Sequence, residues 1–355
     1  MKALVTGGTG FLGAALVRTL CDSGWEVIYT ARRQAPATQV PSAATFMPCD
    51  LASSGATDIL VQAMAGADVV FHTAAKTGVW GRRRDFMATN LAGTEAVLAA
   101  CAAYNTNGAG DTGRAVSATP PVLVHTSSPS VCFDGLDHRR AGPDLPRGTR
   151  FSCAYPESKA RAEEAVEQAW QSGPLLGCIL RPHLIYGPGD PHLLPRIVDR
   201  ARSGRLRRIG AGDNEVSLCF IEHAVAAHIS AAKKLLADGR AATCAKRSYF
   251  IADSEPVLLW PWIDELLLEA GLAPVKRSLS RRRATLIGTL CEVLWRALPL
   301  RGEPPMTRFV AGELATSHSY DMDPARRELG YEPRVSPKRA RQLALADLRA
   351  RGLLP

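Results

Sequence analysis

The stretch that decides the fold is Lys2-Ala3-Leu4-Val5-Thr6-Gly7-Gly8-Thr9-Gly10-Phe11-Leu12-Gly13. Its first five residues form a short apolar run, which is typical of a central parallel strand covered on both faces. Gly7, Gly10 and Gly13 follow at the spacing G-x-x-G-x-x-G. Apolar residues then recur at helical spacing as far as Gly24. This strand, turn and helix predict a pyrophosphate site of a dinucleotide, with an ordinary turn as the alternative. The residues expected to contact the dinucleotide are Gly7, Gly10, Phe11, Leu12 and Gly13.

The composition predicts a globular protein. The chain has 355 residues, of which 46% are hydrophobic, and this is enough for a sizeable α/β domain and a smaller second one. Its cysteines form no C-x-x-C pair, and Cys178 and Cys219 lie in apolar segments, as small buried hydrophobic residues do. We therefore expect no metal site, and a reducing, cytoplasmic location.

The net charge of +9 comes partly from arginine clusters within residues 82–84, 205–208 and 281–283. Such clusters suit acidic ligands, anionic lipid or nucleic acid. No nucleic-acid-binding motif accompanies them, so solvated faces are the favoured interpretation and no nucleic-acid partner is expected. The first residues contain no charged region followed by an apolar one, which predicts that a cleavable signal is absent.

The second predicted strand, residues 26–30, leads into Ala31-Arg32-Arg33. Dinucleotide-binding folds commonly place a carboxylate here, on the 2′-hydroxyl of the adenosine ribose. Two guanidinium groups without a carboxylate suit a 2′-phosphate instead. Arg32 and Arg33 therefore predict NADPH/NADP as the cofactor, and a solvated arginine pair is the alternative.

Three further segments are expected to lie along the cofactor. Asp50-Leu51 follows a short strand at residues 45–47 and suits the adenine, with a helix-capping role for Asp50 as the alternative. Ala74-Ala75-Lys76 follows the fourth strand, residues 68–72, where small residues let the backbone approach the cofactor. Asn90 lies on a helix predicted over residues 85–104, where a plain surface group is the alternative.

Residues 105–120 are rich in Gly, Asn, Thr, Ser and Pro and show little periodicity. They predict a surface loop before the fifth strand. We interpret this loop as an insertion without a chemical role, because its length is unusual for a connection between a helix and a strand.

Ser128, Tyr155 and Lys159 are the candidate catalytic residues. The predicted strand at residues 121–126 ends in Ser127-Ser128, and a helix opens at Tyr155-Pro156-Glu157-Ser158-Lys159. Tyr155 and Lys159 are four residues apart and share a helix face, so the ammonium is expected to lower the pKa of the phenol. With the Ser128 hydroxyl they can polarise and protonate a carbonyl. An ordinary helix pair is the alternative.

The chain resembles an extended short-chain dehydrogenase/reductase over nearly its whole length. The matching segments are the glycine turn, Asp50-Leu51, residues 72–75, Asn90, Ser128, Tyr155, Lys159, and residues 181–190 and 323–331. The resemblance implies a Rossmann-type doubly wound parallel sheet of the α/β class with a smaller C-terminal substrate-binding cap. It also implies that Tyr155 is the general acid/base, that Lys159 lowers its pKa and holds the nicotinamide ribose, and that Ser128 orients the carbonyl. Pro182, His183 and Ile185 would border the nicotinamide.

Residues 74–81, 192–196 and 302–309 are most similar to the 3β-hydroxysteroid dehydrogenase-like branch, and within it to bacterial reductases of long-chain olefin biosynthesis. This implies NADPH-dependent reduction of the 3-keto group of a long-chain 2-alkyl-3-oxoalkanoic acid. Trp80, Ser128 and His192 are expected to contact this hydrophobic substrate. The alternatives are a 3β-hydroxysteroid or sterol 4-carboxylate dehydrogenase, and then a nucleotide-sugar epimerase or dehydratase. A nucleotide sensor would not need Tyr155, Lys159 and Ser128 together.

We assign residues 1–190 and 213–240 to the NADP-binding Rossmann domain, and residues 191–212 and 241–355 to the cap region. A strand is predicted at residues 215–221 and a helix at residues 222–237. Residues 286–298 form a broad apolar stripe after Arg281-Arg282-Arg283, but it is too short, and interrupted by Glu292 and Arg296, to span a bilayer. A core-packed cap helix is favoured, and an interfacial helix in peripheral membrane contact is the alternative. By analogy with the family, a homodimer is expected.

Overall fold

The computed structural model of the chain describes residues 1–106, 120–298 and 300–354. The strands are β1 (Lys2–Thr6), β2 (Glu26–Ala31), β3 (Thr45–Pro48), β4 (Val69–His72), β5 (Val122–Thr126), β6 (His138–Ala141), β7 (Gly177–Pro182), β8 (Ile185–Tyr186), β9 (Arg208–Ile209), β10 (Glu215–Val216), β11 (Cys219–Phe220), β12 (Ser248–Ile251), β13 (Val257–Leu258), β14 (Ser278–Leu279) and β15 (His318–Tyr320). The helices are α1 (Phe11–Asp22), α2 (Ala56–Ala63), α3 (Arg83–Phe86), α4 (Gly93–Thr106), α5 (Ala154–Ser172), α6 (Leu193–Arg202), α7 (Ile221–Asp238), α8 (Leu259–Glu269), α9 (Arg281–Ala297), α10 (Arg308–Glu313), α11 (Asp323–Leu329) and α12 (Pro337–Ala350). A π-helix, Met87–Ala92, joins α3 to α4.

The central feature is a seven-stranded parallel sheet in the order β12-β7-β5-β4-β1-β2-β3. Strand β1 lies inside this sheet, with Ala3 opposite both Val27 of β2 and Val69 of β4. The strand order reverses direction beside β1, and this reversal is where doubly wound sheets bind ligands at the carboxyl ends of their strands. The predicted fold class is confirmed.

Helices cover both faces of the sheet, which explains the uninterrupted apolar run of β1. Ala3 and Val5 pack on one face, in a core that includes Leu16 of α1 and Ala231 of α7. Leu4 points to the other face, where the core includes residues of α2, α4 and α5, namely Leu60, Val97, Ala100 and Val166. Both faces of the strand are buried, as expected for a parallel sheet between two helical layers.

A smaller four-stranded sheet, in the order β13-β10-β15-β6, takes three of its strands from the C-terminal half of the chain, which also contains α8, α9 and α10. Two strands pair across the predicted domain boundaries. Strand β12 is an edge strand of the large sheet although residues 241–355 were assigned to the cap, and β6 pairs with β15 of the small sheet although residues 1–190 were assigned to the Rossmann domain. That the remaining segments form a substrate-binding cap stays a prediction.

The strand predicted at residues 215–221 is divided in two. Val216 pairs with His318 in the small sheet, whereas Cys219 pairs with Ile185 of β8. The chain therefore leaves one sheet for another at Ser217 and Leu218, and helix α7 already begins at Ile221. Of the predicted insertion at residues 105–120, residues 107–119 lie outside the described part of the chain.

One helical stretch, Arg83–Tyr104, is long and apolar enough by length and composition to cross a membrane, with a mean hydropathy of 1.3. Its Val97 and Ala100 are fully buried and belong to the same core as Leu60 of α2 and Val166 of α5. A buried core helix of a folded domain can have the same length and apolar composition, so the stretch is weak evidence for a membrane span.

Candidate active site

The glycine turn between β1 and α1 is built to approach a ligand closely. Gly7 has a φ of +70°, and a Cβ at this position would lie 2.6 Å from the Cα of Ala74. A Cβ on Gly13 would collide with the carbonyl oxygen of Gly7. Gly10 is the N-cap of α1, where no side chain caps the helix and the first turn contains no acid. The N-terminal N–H groups of α1 are thus available to an anion, and the turn fits a pyrophosphate.

Arg32 and Arg33 lie next to this turn. The backbone N–H groups of Gly7 and Gly8 donate to the carbonyl oxygen of Thr30 at 2.8 and 3.1 Å, which holds the end of β2 against the turn. Both arginines follow directly and are exposed. Gln39, which the sequence analysis missed, donates from Nε2 to the carbonyl oxygen of Thr9 at 2.7 Å and closes the next loop over the turn.

Asp50 and Leu51 follow β3, and only Leu51 is buried. Oδ1 of Asp50 accepts a hydrogen bond from the N–H of Ala52 at 3.1 Å within a turn. Helix α2 begins only at Ala56, with Gly55 as its N-cap, so Asp50 does not have the helix-capping role of the alternative interpretation. Leu51 packs against α4, because a Cβ on Gly93 would lie 3.0 Å from the Cβ of Leu51. Contact of these two residues with the adenine stays a prediction.

Asn90 is a buried positioning residue and not a surface group. Its Oδ1 accepts from the N–H of Lys76 at 2.6 Å, and its Nδ2 donates to the carbonyl oxygen of Lys76 at 3.0 Å. Nδ2 also donates to Oγ of Ser158 at 2.8 Å, between Tyr155 and Lys159 on α5. Asn90 thus fixes the segment Ala74-Ala75-Lys76 relative to the catalytic helix. It lies in the π-helix, a distortion that is frequent at functional sites.

His72 extends this network into the sheet. Its Nδ1 lies 2.7 Å from Oγ1 of Thr6, and its Nε2 lies 2.9 Å from Oγ1 of Thr94. The hydroxyl of Thr94 donates its proton to the carbonyl oxygen of Asn90 at 2.6 Å, so toward His72 it can only accept. The proton of the neutral His72 ring therefore lies on Nε2. Burial, together with the charge of Lys159, lowers the pKa of His72 to about 3, so the imidazole is neutral at physiological pH.

Tyr155 and Ser128 are brought together, as predicted. Tyr155 is half-buried in the first turn of α5, and Ser128 is the N-cap of a short 3-10 helix after β5. Oγ of Ser128 receives hydrogen bonds from the backbone N–H and the hydroxyl of Ser130, at 3.3 and 3.0 Å. Burial raises the pKa of the Tyr155 phenol, and the hydrogen bond with Ser128 partly opposes this rise. The phenol is therefore protonated at neutral pH.

Lys159 is almost fully buried one turn after Tyr155, with 3% of its surface exposed. Its Nζ donates to the carbonyl oxygen of Thr126, at the end of β5, at 2.6 Å. Burial lowers the pKa of Lys159 to about 8, and the charge of Glu163 opposes this shift. Burial of the phenol is the largest influence on its pKa, and the Lys159 ammonium is bonded to Thr126, so the expectation that Lys159 lowers the pKa of Tyr155 stays a prediction.

Glu163, the next residue on the same face of α5, was missed by the sequence analysis. Its carboxylate is fully buried and accepts from Nε and Nη2 of Arg181, on β7, at 2.9 and 2.7 Å. Arg147 also donates to it at 3.3 Å. These arginines keep the pKa of Glu163 below its usual value in spite of its burial. The network fixes the catalytic helix to the sheet.

Pro182 ends β7, and Ile185 opens the short strand β8. His183 between them turns its side chain toward the small sheet, where Nδ1 donates to the carbonyl oxygen of Ser217 at 2.5 Å and the ring packs on His318. Burial lowers the pKa of His183 to about 3. Contact of these three residues with a nicotinamide stays a prediction.

His183, Glu313 and His318 have donor atoms within 4.8 Å of one another, so among the described residues they form a group that could hold a metal ion. Protein atoms already engage this group, since Nε2 of His318 lies 2.7 Å from the carbonyl oxygen of Glu313. Neither the geometry nor the sequence motifs require a metal, and the expectation of no metal site stays a prediction.

Besides Ser128, the other two expected substrate residues, Trp80 and His192, lie at different places. Trp80 is half-buried in the loop after β4, and the guanidinium of Arg296 on α9 lies 5.6 Å from its ring. His192 is exposed at the start of α6, where the adjacent Asp190 is buried and accepts from the N–H groups of residues 192–194. No described contact brings His192 to Trp80, Ser128 or Tyr155, and a role in substrate binding stays a prediction for it.

Two surface depressions, of about 750 and 570 Å³, are lined by residues other than the catalytic three. The larger lies beside Arg147 and Glu167, and the smaller lies between α1 and α7. The side chains that can do chemistry converge elsewhere, at the carboxyl ends of β1, β4 and β5, and we take that convergence as the site.

That edge holds a glycine turn that fits a pyrophosphate, a protonated phenol, a serine hydroxyl and a buried lysine. This fold and site define an NAD(P)-dependent oxidoreductase of the extended short-chain dehydrogenase/reductase type. Residues 4–281 match the 3-beta hydroxysteroid dehydrogenase/isomerase family, and the chain belongs to this family.

Relatives with assigned activities extend over almost the full chain. A 2-alkyl-3-oxoalkanoate reductase of Stenotrophomonas maltophilia is 42% identical over 336 residues, which is 95% of this chain and 96% of the relative. A protein of the same name from Shewanella oneidensis is 37% identical, over 94% of this chain and 83% of its own length. The decarboxylating sterol-4-alpha-carboxylate 3-dehydrogenase of Mus musculus is 29% identical, over 94% of this chain and 87% of its own length.

Solved structures confirm the fold. UDP-glucuronic acid 4-epimerase from Bacillus cereus, in complex with NAD, superposes with a TM-score of 0.70 at 19% identity, and 99% of each chain is covered. A dTDP-glucose 4,6-dehydratase from Streptomyces venezuelae gives a TM-score of 0.73 at 21% identity, covering 100% of this chain and 99% of its own. At these identities the likeness concerns architecture alone.

Proposed function

We propose that the protein is an NADPH-dependent reductase that converts the 3-keto group of a long-chain 2-alkyl-3-oxoalkanoic acid into the 3-hydroxyl. The observation that carries this proposal is the 42% identity, over 95% of this chain, with a 2-alkyl-3-oxoalkanoate reductase. The positions of Ser128, Tyr155 and Lys159 support it, because they supply what carbonyl reduction needs from the protein.

The chain's own residues handle the oxygen of the ketone. The nicotinamide cofactor, when bound, supplies the hydride. Tyr155 is protonated at neutral pH and donates its proton to the developing alkoxide. Ser128, whose oxygen already accepts two hydrogen bonds from Ser130, directs its own proton to the reacting oxygen and orients it. Lys159, protonated below about pH 8, places a positive charge beside this region.

The choice of NADPH over NADH is supported by the two exposed arginines after β2. Arg32 and Arg33 stand beside the turn that fits the pyrophosphate. No acidic residue lies between Ala31 and the next strand at Thr45 to accept a hydrogen bond from a free ribose 2′-hydroxyl. Guanidinium groups bind a 2′-phosphate through charge-assisted hydrogen bonds.

The deciding experiment is nicotinamide absorbance with purified protein, offered NADP⁺ or NAD⁺ with either a long-chain 2-alkyl-3-hydroxyalkanoic acid or a 3β-hydroxysterol. The hydroxy direction avoids the unstable β-keto acid. Reduction of NADP⁺ with the alkyl hydroxy acid alone is the expected result. Turnover of the sterol alone would refute the proposed substrate and retain the cofactor site.

A sterol or 3β-hydroxysteroid dehydrogenase is the second candidate, favoured by the 29% identity with the mouse sterol-4-alpha-carboxylate 3-dehydrogenase. A sterol 4-carboxylate also carries a carboxylate close to the reacting carbon. Ser128, Tyr155 and Lys159 would then have the same roles in oxidising its 3-hydroxyl. A homodimer and a cytoplasmic location stay predictions from the sequence.

A further inference from the structure

Helix α9 exposes large aliphatic side chains along one face. Leu286 and Leu290 are 61% exposed and Val293 is 60% exposed. Others on or just after the helix are also exposed, namely Ile287, Leu294, Leu298 and Leu300. Their spacing places them on one side of the helix. Contiguous apolar surface of this kind marks an interaction site more often than scattered exposed residues do.

The opposite face of α9 is fixed to the protein, so the apolar face cannot turn inward. A Cβ on Gly288 would lie 2.7 Å from the backbone carbon of Thr307, which shows how closely α9 approaches the start of α10. Glu292 is buried, and its carboxylate accepts from the N–H and Nε of Arg308 at 2.7 and 2.9 Å. The structure therefore holds the aliphatic side chains toward solvent.

The surroundings of this face are strongly basic. Between residues 271 and 302 the exposed cations are Lys276, Arg277, Arg281, Arg282, Arg283, Arg296 and Arg301. The single acid of the same stretch is Glu292, which is buried and paired with Arg308. Arg281–283 stand directly at the start of α9, at one end of the row of leucines. We call this surface, with its aliphatic face and basic rim, the α9 patch.

We propose that the α9 patch is a docking surface for an anionic phospholipid bilayer. An amphipathic helix with arginines at its rim and leucines on one face lies in the headgroup region, with its apolar side buried among acyl chains. The basic rim adds attraction to anionic lipid. The helix is 17 residues long, too short and too polar to span the hydrocarbon core.

The charge distribution disfavours a second copy of the chain as the occupant. A two-fold symmetric contact would place this patch against itself. The exposed charges of residues 271–302 are all positive, so such a contact would bring like charges together. Anionic lipid supplies the missing negative charge.

The patch adjoins the expected substrate side of the active site. Arg296 of α9 lies 5.6 Å from the ring of Trp80, in the loop that leads from β4 to the catalytic helices. For a lipid substrate, which rests on the proposed function, docking would bring the site to the membrane that holds the substrate. Docking itself requires no turnover, so it is testable separately.

The test is co-sedimentation of the full chain with vesicles of phosphatidylcholine alone or with phosphatidylglycerol added, without cofactor or substrate. The expected result is binding to the anionic vesicles that weakens as salt is raised. Replacing both rim arginines, Arg282→Gln/Arg283→Gln, should lower the partition coefficient about thirty-fold, at about 1 kcal/mol per charge. Leu286→Ser/Leu290→Ser should lower it about tenfold or more through lost apolar burial.

Matched controls separate the patch from general charge and hydrophobicity. Leu268 on α8 is also 61% exposed, and Leu268→Ser should leave vesicle binding unchanged. Lys233→Gln/Arg240→Gln removes two exposed cations from another surface and should have little effect. Absence of binding to anionic vesicles, or equal losses in the control variants, would overturn the proposal. So would a patch-dependent dimer in light scattering without vesicle binding. Failure of reductase activity with intact vesicle binding would refute only the proposed function.

Discussion

At the scale of single residues, Tyr155 and Lys159 show how burial divides two roles between neighbouring groups. Burial raises the pKa of the phenol and lowers that of the ammonium to about 8, because it disfavours the charged form of each. At neutral pH both groups therefore carry their proton, and the proposed function assigns proton donation to Tyr155. Lys159, held by Thr126, contributes position and positive charge.

The first prediction concerns the phenol. Tyr155→Phe removes the proton donor and should lower kcat by at least about 10² to 10⁴-fold, the usual contribution of a positioned acid. The ring stays in place, so NADPH binding should be unchanged in a fluorescence titration. Steady-state kinetics of both proteins provide the measurement. Activity close to that of the wild type would remove Tyr155 from the catalytic role.

The second prediction is a pH dependence from Lys159. Reduction should decline as pH rises through about 8, because Lys159 loses its proton there while the phenol, with its raised pKa, keeps its own. The unfolded chain holds the lysine proton up to its ordinary pKa of 10.5. The unfolded state therefore binds more protons between about pH 8 and 10.5, and this group makes stability rise with pH across that window.

The measurement is a kcat profile for reduction between pH 6 and 10, with urea unfolding at the same pH values. Lys159→Met serves as the comparison, because it has no group titrating near pH 8 at this position. A wild-type rate that stays level to pH 9.5 would contradict the assignment.

At the scale of elements, the strand, glycine turn and helix at the N-terminus could be predicted because their causes are local. Gly7 has a positive φ, and Gly13 lies so close to the carbonyl of Gly7 that a Cβ would not fit. Both requirements arise among residues that are close together in the sequence. The role of Asn90 could not be predicted in this way. Its partners, Lys76 and Ser158, lie 14 and 68 residues away, so the sequence showed the residue but not its burial.

The third prediction tests the π-helix as a link between the cofactor segment and α5. Asn90→Ala leaves the backbone N–H and carbonyl of Lys76 without their partner and should cost about 2–4 kcal/mol in the free energy of unfolding. It should also raise KM for the cofactor, because residues 74–76 lose their fixed position. Urea unfolding and initial rates measure the two effects.

Ser158→Ala is the matched control for this link. It removes the contact between Asn90 and α5 and leaves both bonds to Lys76 intact. We expect a cost of about 1 kcal/mol and little change in KM for the cofactor. If both variants raised KM equally, fixation of residues 74–76 by Asn90 would not be the cause.

At the scale of the whole molecule, the two sheets are interleaved along the chain and not divided at one point. Strand β6 belongs to the small sheet although it lies in sequence between β5 and β7 of the large one, and β12 belongs to the large sheet although β13 of the small sheet follows it. These assignments depend on pairing between distant residues, such as His138 with His318. Short strands carry too weak a periodic pattern to specify that pairing, so the sequence could not assign β6 and β12 to their sheets.

The fourth prediction uses the stability of the whole fold to test cofactor choice. A ligand that binds only the native state stabilises it by RT ln(1 + [L]/Kd), which is about 2.7 kcal/mol at a hundredfold excess over Kd. For a chain of this size such a gain raises Tm by several degrees. If Arg32 and Arg33 bind the 2′-phosphate, NADPH should raise Tm by several degrees, and NADH at equal concentration by clearly less.

Arg32→Ala/Arg33→Ala should bring the Tm shift of NADPH down to that of NADH, because the two cofactors differ only in the phosphate these residues would hold. Lys233→Ala/Arg240→Ala removes two exposed cations, one on α7 and one just after it, and should preserve the difference. Differential scanning fluorimetry of the three proteins provides the comparison. Equal shifts for NADPH and NADH in the wild type would show that the arginines are solvated side chains, as the alternative interpretation of this pair holds. The glycine turn would still bind the pyrophosphate that both cofactors share.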